Sequence, residues 1–387
     1  MSEFQLQPRI HFGPQALNTL YDLPTSSALL VTDKAMVKLG LAARITQSWQ
    51  QRGIAFQVWD DVVADPDIAT VVCGMKIMDE QQPDLVVALG GGSVIDAAKA
   101  VIYTLAQARP EPMASRSRFV AIPTTSGTGS EVTAFSVVKS RAEKLVLVDP
   151  LMLPDIAILD PSLVTSVPAS ITADTGMDVL CHALEAYVSL RASDFTDALA
   201  EKVVQQVFNY LPTCWRQGSD LQAREKMHSA SCMAGMAFTN ASLGITHSLA
   251  HALGGVFRIP HGRANALLMA DVVAWNADYS GQCDTRAARK YAHLAHLLTL
   301  PARTTREGVT SLLVSIQTLK AEMEMPVGIR ECGIDAADFA SKTAEMVGQA
   351  LRDSCTPTNP EQPDAQAMAN IYRQAWAGQR YGCGQDH

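Results

Sequence analysis

The chain has 387 residues, of which 48% are apolar and 18% are charged, and its net charge is −8. This length gives two or three domains enough residues for a core each. The acidic balance and the lack of any Lys/Arg run argue against a nucleic-acid-binding protein. The sequence has no run of about 18 apolar residues, which a membrane-spanning helix would need. Residues 1–9 do not have the basic and apolar regions of a secretory signal, so we expect a cytoplasmic protein.

Eight cysteines are spread along the chain without a CxxC motif or any other close pair. In a chain of this length, such spacing is not typical of a disulfide framework. We therefore expect reduced thiols, which are usual in the cytosol.

Short apolar runs alternate with helical patterns over the first 165 residues. Continuous apolar runs of about four to six residues, separated by helices, indicate a buried and mostly parallel sheet. The runs are 28–32, 84–89, 119–122, 145–148 and 156–159. The sequence therefore predicts an α/β domain with a mostly parallel sheet.

Helical periodicity dominates the rest of the chain, after Pro168. A helix is predicted to begin at Asp194 and to end at Pro212, because proline interrupts the hydrogen-bond ladder. Further helices are predicted over 224–238, 244–256, 286–298 and 306–323. We place the domain boundary in the proline-rich connection 153–168, so that residues 1–165 form the α/β domain and residues 166–387 an all-helical domain.

Two loops that follow predicted strands have the composition of a nucleotide site. Residues 90–93, Gly-Gly-Gly-Ser, lie between an apolar run and a helical pattern. Glycines let a backbone approach a pyrophosphate, and a helix N-terminus offers free N–H groups. The GxGxxG fingerprint is absent, so a flexible strand-to-helix turn is the alternative interpretation. The hydroxyl-rich loop 123–129 follows the next strand and favours a nucleotide crevice at the carboxyl edge of the sheet.

Asp33 follows the first of these apolar runs. A carboxylate there could accept hydrogen bonds from an adenosine ribose, and it would repel the 2′-phosphate of NADP. It therefore favours NAD, although a solvated turn aspartate is the alternative.

Five potential metal ligands form the most specific pattern in the helical half. Asp178 and His182 are four residues apart, as are His247 and His251, so each pair shares one face of a helix. His261 follows in a Pro-His-Gly turn. A carboxylate and three imidazoles, those of His182, His247 and His261, would form a site for a divalent first-row metal with room for a substrate oxygen. The alternative is a set of unrelated core and surface histidines.

These motifs together resemble the iron-containing (group III) alcohol dehydrogenase family over essentially the whole chain. The matching segments, in chain order, are 90–99, 123–131, 175–186 and 247–262. The resemblance implies a dehydroquinate synthase-like fold, with a Rossmann-like, dinucleotide-binding α/β domain followed by an all-helical domain.

The resemblance also implies the roles of individual residues. It implies that Fe²⁺ is held by Asp178, His182, His247 and His261, and that His251 lies beside the nicotinamide and the substrate. The residues that it implies for NAD binding are Asp33, Asp65, Gly91, Gly92, Ser93, Asp96, Thr124, Thr125, Thr128, Thr133, Phe135 and Lys144. Imidazole and carboxylate ligands suit zinc as well as iron, so we expect Zn²⁺ to be able to replace Fe²⁺.

Within the family, residues 7–13 and 191–202 are most similar to the 1-propanol dehydrogenases of propanediol-utilising bacterial microcompartments. We therefore expect NAD(H)-dependent interconversion of a short-chain aldehyde, such as propanal, and a primary alcohol. We also expect a homodimer or higher homo-oligomer. The sequence leaves open whether the enzyme lies free in the cytoplasm or inside a microcompartment, with shell or cargo proteins as partners.

His251 has two alternative roles in this chemistry. An imidazole has a pKa suited to passing a proton between an alkoxide and solvent. Because His251 shares a helix face with His247, a fifth-ligand role competes with the relay.

Three other functions compete with this one. A zinc-dependent glycerol or polyol dehydrogenase shares the architecture, and turnover of propanal against glycerol separates the two. A non-catalytic microcompartment-associated protein would be expected to lack a metal ligand, and none is missing here. A metal-dependent hydrolase is disfavoured by the nucleotide-type loops.

Overall fold

The structure is a computed structural model that describes residues 3–6, 8–109, 116–140 and 143–382. The chain divides into two compact units. The sheet unit contains the described residues of 5–167 and 219–239, and the helical unit contains those of 1–4, 168–218 and 240–387. Within the described ranges, none of the helices combines the length and the apolar character needed to cross a bilayer.

A six-stranded parallel sheet forms the centre of the sheet unit, in the strand order β1-β8-β5-β4-β2-β3. Its strands are β1 (Arg9–Phe12), β2 (Ser27–Val31), β3 (Ala55–Trp59), β4 (Leu85–Gly90), β5 (Arg118–Pro123) and β8 (Ile156–Leu159). Val87 in the middle of β4 pairs with Leu30 on one side and with Val120 on the other. The predicted parallel sheet is confirmed, and four of the five apolar runs are strands of it.

Helices cover both faces of this sheet. The apolar cluster on one face of the sheet includes Ile45 and Trp49. The cluster on the other face is formed by the alternate residues of the strands and includes Ile95 and Val101. The helices of the unit are α1 (Lys34–Lys38), α2 (Leu41–Gln51), α3 (Ile68–Gln81), α4 (Gly92–Ala108) and most of α7 (Leu221–Ala241). Burial on both faces explains why the central strands are continuously apolar.

The run 145–148 was expected in the parallel sheet, and this prediction is wrong. It belongs to β7 (Glu143–Val148), which pairs with β6 (Phe135–Ser140) in a separate antiparallel two-stranded sheet. Val146 and Val148 are 54% and 63% exposed. An apolar run by itself does not show whether both of its faces are covered, so the sequence could not separate this strand from the buried ones.

The helical unit is built around α5, which is buried over almost its whole length after Gly176. The helices of this unit are α5 (Ala169–Val188), α6 (Asp194–Arg216), α8 (Ile245–Phe257), α9 (His261–Asn276), α10 (Arg286–Leu297), α11 (Thr305–Glu322), α12 (Ala336–Leu351) and α13 (Ala365–Ala377). Both α6 and α9 pack against α5. The predicted all-helical architecture is confirmed for this unit.

Helix α6 continues through Pro212 to Arg216, whereas the sequence predicted an end at the proline. Pro212 and its neighbour Leu211 are buried, and α6 packs along α5. A proline removes one backbone donor and strains the preceding turn, but tertiary packing of the apolar face outweighs that local cost here.

Residues 219–239 lie in the sheet unit, although their periodicity placed them with the helical half. The Cα of Gly235 lies 2.7 Å from the position that a side chain on Gly129 would occupy. In addition, His228 Nδ1 lies 2.9 Å from Ser126 Oγ. Helical periodicity identifies an apolar face but not the element against which it packs.

Gly262 brings the start of α9 close to α5. A Cβ at this position would lie 2.1 Å from the Asp174 carbonyl oxygen and 3.3 Å from Asp178 Cβ. Because the first of these atoms belongs to the helix backbone, no side-chain rotation could relieve the clash. The glycine therefore sets how closely His261, its neighbour in sequence, approaches α5.

We expect Gly262→Ala to lower the free energy of unfolding by about 1–3 kcal/mol, the usual cost of overpacking. Urea unfolding followed by circular dichroism measures this change. Gly255→Ala is the matched control: a Cβ there meets no described atom within 4 Å, and alanine favours the helix. Equal stability of the two variants would contradict the close approach.

Candidate metal centre

Helix α5 positions the first two of the predicted ligands. Asp178 and His182 are 3% and 4% exposed, one turn apart on the same face. The side chain of Leu211 occupies the space beside Gly176, where a Cβ would lie 2.2 Å from Leu211 Cδ1. This glycine allows α5 to be enclosed closely where it carries the ligands.

The other histidines come from α8 and α9. His247 lies in the first turn of α8 and is 1% exposed. His261 is the first residue of α9, immediately after Pro260, and its side chain is 40% exposed. The centre therefore has buried ligands on one side and an accessible histidine on the other.

Four ligand atoms converge, one from each of the four predicted residues. The Nε2 atoms of His182, His247 and His261 lie 3.8, 3.7 and 3.5 Å from Asp178 Oδ1. All four ligand atoms lie within 4.8 Å of one another. Bonds of about 2.0–2.2 Å to a tetrahedral ion put neighbouring ligand atoms about 3.3–3.6 Å apart. The residues therefore fit a divalent first-row metal ion.

Asp178 has the protonation state that a metal ligand needs. Burial by itself raises the pKa of a carboxyl, but the imidazoles of His182, His261 and His247 hold the pKa of Asp178 well below its usual range. The carboxylate is therefore ionised at neutral pH. Ionised carboxylates and neutral imidazoles are the forms that bind metal ions.

Two buried side chains that the sequence analysis did not identify as site residues contact the ligands. Glu185 Oε2 lies 2.6 Å from His247 Nδ1. Asn265 Nδ2 donates to Asp178 Oδ1 at 2.7 Å. Glu185 follows Asp178 by seven residues and Asn265 follows His261 by four, so helical periodicity places each on a ligand's face. That spacing was the signal that could have identified both.

His251 lies beside the four converging ligands and not among them. Its ring stacks on that of His261 with centroids 5.4 Å apart. Its Nδ1 lies 2.8 Å from Asp353 Oδ2, and its side chain is 39% exposed. Cys355 also donates its backbone N–H to Asp353, at 2.8 Å.

Asp353 provides the hydrogen-bond acceptor for Nδ1 of His251. Although burial raises the pKa of this carboxyl, the hydrogen bonds from His251 and Cys355 hold it well below its usual range. An ionised Asp353 accepts a hydrogen bond from Nδ1–H of His251. The Nε2 atom of the ring is then the one that can take up or release a proton. Because 102 residues separate Asp353 from His251, no local pattern in the sequence indicated the pair.

The two predicted nucleotide loops meet within the sheet unit. Gly90 pairs with Pro123, and Thr124 donates its backbone N–H to the Gly90 carbonyl at 3.0 Å. Gly91 precedes the first turn of α4, and a Cβ on Gly92 would lie 2.8 Å from Thr128 Cγ2. The glycines thus allow the hydroxyl-rich loop to lie against the start of a helix.

Other residues expected to bind the cofactor have the following contacts. Ser93 Oγ accepts the backbone N–H of Asp65, whose φ of 53° is left-handed. A Cβ on Gly91 would lie 3.5 Å from Thr125 Oγ1. Asp33 caps α1 by accepting the backbone N–H of Met36 at 2.9 Å. The side chain of Lys144 lies outside the described residues.

Asp96, Thr133 and Phe135 surround a buried lysine that the sequence analysis did not single out. Asp96 Oδ1 accepts the hydroxyl of Ser130 at 2.7 Å. Lys99 Nζ is fully buried and lies 2.7 Å from the Thr133 carbonyl and 2.9 Å from that of Phe135. These contacts fix the backbone of the segment that follows the hydroxyl-rich loop.

Comparison with known proteins identifies the family. The model of the iron-containing alcohol dehydrogenases matches residues 7–161, and that of the C-terminal part of the Fe-containing alcohol dehydrogenase family matches residues 172–376. The chain is 43% identical to the 1-propanol dehydrogenase PduQ of Citrobacter freundii, over 96% of this chain and 99% of that protein. It is 41% identical to an aldehyde-alcohol dehydrogenase of Streptococcus pneumoniae, over 90% of this chain but 43% of that protein. The chain thus spans less than half the length of that relative.

A solved structure extends the comparison. The sulfoacetaldehyde reductase of Bifidobacterium kashiwanohense, crystallised in complex with NAD⁺, superposes with a TM-score of 0.84 at 28% identity and covers 97% of this chain and 98% of its own. Both halves of the chain match their family models, and full-length similarity to a dehydrogenase agrees with them. The chain therefore belongs to the iron-containing alcohol dehydrogenase family.

Proposed function

We propose that the protein interconverts a short-chain aldehyde and its primary alcohol, with propanal and 1-propanol as the preferred pair, using NAD(H) and Fe²⁺. The observation that carries this proposal is the convergence of Asp178, His182, His247 and His261 on one point. The similarity to a 1-propanol dehydrogenase supports the substrate, and that to an NAD⁺ complex supports the cofactor. Zn²⁺ suits the same ligands and should be able to replace Fe²⁺.

Each part of the site would contribute a separate function. The ion, when bound, supplies a Lewis acid for the oxygen of the substrate. The residues around loops 90–93 and 123–129 would bind and orient the dinucleotide, which carries the hydride. His251 would pass a proton between the substrate oxygen and solvent, because its Nδ1 is held by Asp353 and its side chain is partly exposed.

Turnover measurements test the proposal directly. Purified protein is loaded anaerobically with Fe²⁺ and assayed with NADH and a panel of aldehydes from acetaldehyde to butanal, and with NAD⁺ and glycerol. We expect the highest kcat/KM with propanal. A preference for glycerol would indicate a polyol dehydrogenase instead, and no oxidation of NADH with any aldehyde would contradict the proposal.

We further propose that the protein is a cytoplasmic homo-oligomer that can be enclosed, with other cargo proteins, in a bacterial microcompartment. The support is the similarity of residues 7–13 and 191–202 to the 1-propanol dehydrogenases of such compartments. Size-exclusion chromatography with light scattering tests the oligomer. Co-purification with intact microcompartments of the source cell tests the enclosure, and its recovery only in the soluble fraction would contradict it.

The cofactor preference yields a prediction about Asp33. A carboxylate beside the ribose repels the 2′-phosphate of NADPH, so we expect Asp33→Gly to raise the use of NADPH relative to NADH. The expected change in the ratio of kcat/KM values is roughly ten- to a hundredfold, or about 1.4–2.8 kcal/mol. Glycine also keeps most of the stability of a helix cap, so α1 should remain folded.

Asp335→Gly is the matched control for this prediction. Asp335 caps α12 by accepting the backbone N–H groups of Ala337 and Asp338, as Asp33 caps α1. The control should show the same small loss of stability and no change in cofactor preference. An unchanged preference in Asp33→Gly itself would show that this carboxylate does not face the ribose.

A further inference from the structure

The carboxylate of Glu185 connects two of the helices that carry ligands. Glu185 lies on α5 and is 4% exposed. Its Oε2 accepts the backbone N–H of Gly244 at 2.9 Å and lies 2.6 Å from His247 Nδ1. Its Oε1 accepts the backbone N–H of Thr246 at 2.5 Å. A single buried carboxylate thus contacts both the start of α8 and the histidine in its first turn.

The backbone N–H groups at the start of α8 need a hydrogen-bond acceptor from another part of the chain. The residue before its first turn is Gly244, which has no side chain to cap the helix. Unpaired N–H groups at a helix N-terminus are costly when buried, and a negative charge there is stabilising. Glu185 accepts two of these N–H groups and places its charge at this end of the helix, which fixes the position of the turn that carries His247.

The same carboxylate determines which ring nitrogen of His247 carries the proton. An ionised carboxylate can only accept hydrogen bonds, so the proton of the neutral imidazole lies on Nδ1. Nε2 then carries the lone pair that can bind an ion, and it lies 3.7 Å from Asp178 Oδ1 and 3.2 Å from Asn265 Nδ2. Carboxylates that hold the second nitrogen of a ligand histidine also increase its basicity as a ligand.

We propose that Glu185 is a positioning residue of the metal centre: it holds His247 in the tautomer and the orientation that present Nε2 to the ion. The inference rests on the metal centre proposed above. It predicts that Glu185 affects the affinity for metal beyond any contribution that it makes to the stability of the fold.

Glu185→Gln separates these two contributions. Glutamine fills nearly the same volume but has one carbonyl oxygen and one NH₂ group where glutamate has two acceptors. If the NH₂ group faces His247, the ring must accept there, and its proton moves to Nε2. If the NH₂ group faces Thr246 instead, two donors oppose each other at the start of α8. In neither orientation can glutamine accept hydrogen bonds from all three donors, which are the backbone N–H groups of Gly244 and Thr246 and Nδ1–H of His247.

We therefore expect Glu185→Gln to bind Zn²⁺ about 10- to 100-fold more weakly than the wild-type protein. The affinity is measured by competition with a chromophoric chelator, without any assay of turnover. Circular dichroism and urea unfolding of the metal-free proteins record the fold and its stability. Unchanged Zn²⁺ affinity in a folded Glu185→Gln protein would overturn the inference.

Asp271→Asn is the matched control. Asp271 is also a 4% exposed carboxylate in the helical unit, and its Oδ1 accepts the hydroxyl of Tyr381 at 2.6 Å. Lys320, which interacts electrostatically with Asp271, is also buried, so loss of the carboxylate charge should lower the stability of this variant while its Zn²⁺ affinity stays unchanged. Equal losses of affinity in the two variants would show a general effect of destabilisation and would overturn the positioning role.

Glu185→Asp is the second variant, since it keeps a carboxylate that only accepts. It should bind Zn²⁺ more tightly than Glu185→Gln, and equal affinities would contradict the tautomer argument. Should Glu185→Gln not fold, Glu185→Asp is compared with Asp271→Asn. The shorter side chain cannot keep all three contacts of Glu185, so weaker Zn²⁺ binding by Glu185→Asp than by the control supports the inference, and affinity equal to that of wild type contradicts it. A wild-type protein that binds no Zn²⁺ or Fe²⁺ would instead refute the proposed metal centre itself.

Discussion

His261→Ala is expected to lose its bound iron and its turnover together while it keeps its fold. The remaining ligands, Asp178, His182 and His247, would hold a labile divalent ion weakly, because each ligand contributes to the affinity. His261 is the best position for this test because its side chain is 40% exposed. Its removal therefore leaves no large buried cavity, and the loss of stability should be small.

Asp178→Ala should lose iron as well, but at a higher cost in stability. Asp178 is buried, so its removal leaves a cavity and takes away the 2.7 Å hydrogen bond from Asn265. A hydrogen bond to a charged group contributes about 1.5–3 kcal/mol. The two variants should thus agree in metal content and differ in the free energy of unfolding.

Metal analysis and the rate of propanal reduction are measured on the same preparation, with urea unfolding alongside. His293→Ala is the control, since His293 is a half-exposed histidine of α10 that pairs with Glu201. It should keep both iron and rate. A fully active His261→Ala protein that contains no metal would refute the assignment of the centre.

His251→Ala should keep its iron yet lose on the order of 10²–10⁴ in rate, which is the usual contribution of a positioned acid–base group. The expected separation of metal from rate follows from the structure. His251 is not among the four residues whose ligand atoms converge, and its Nδ1 faces Asp353. Removal of its imidazole should therefore leave the metal ligands in place.

The same two measurements distinguish the alternatives for His251. If it were a fifth ligand, His251→Ala would lose metal along with rate, as His261→Ala does. A variant with full metal content and full rate would contradict both roles and leave His251 as a residue that only packs on its neighbours. His293→Ala again controls for the loss of a histidine as such.

Much of the sheet could be predicted from the sequence, because burial on both faces has a local consequence. The apolar runs that became β2, β4, β5 and β8 are continuous, as strands between two layers of helices must be. The edge strands β1 and β3 were not predicted from their composition. Every residue of β1 is at least partly exposed, and in β3 only Trp59 is buried. A strand that is partly exposed to solvent does not need a continuous apolar run, so the sequence carried no such signal for β1 and β3.

The predicted metal ligands also depend partly on local sequence and partly on packing between distant segments. Asp178 and His182 could be paired from the sequence because a helix places residues four apart on one face. That the pair meets His247 and His261 depends on how α5, α8 and α9 pack. Gly262 allows the close approach of α9, and this role becomes visible only when the Asp174 carbonyl is placed beside it.

The sequence by itself determined the four central strands of the parallel sheet and several of the helices, the apolar face of those helices, and which side chains have the chemistry of a metal ligand. These properties follow from continuous apolar runs, from the helical period of 3.6 residues and from residue type, all of which are local. Only the tertiary structure decided that Glu185 holds His247, that Asp353 holds His251 and that residues 219–239 join the sheet unit. Each of these depends on packing between segments distant in the chain, and an apolar face does not specify its partner, because the hydrophobic effect has no direction.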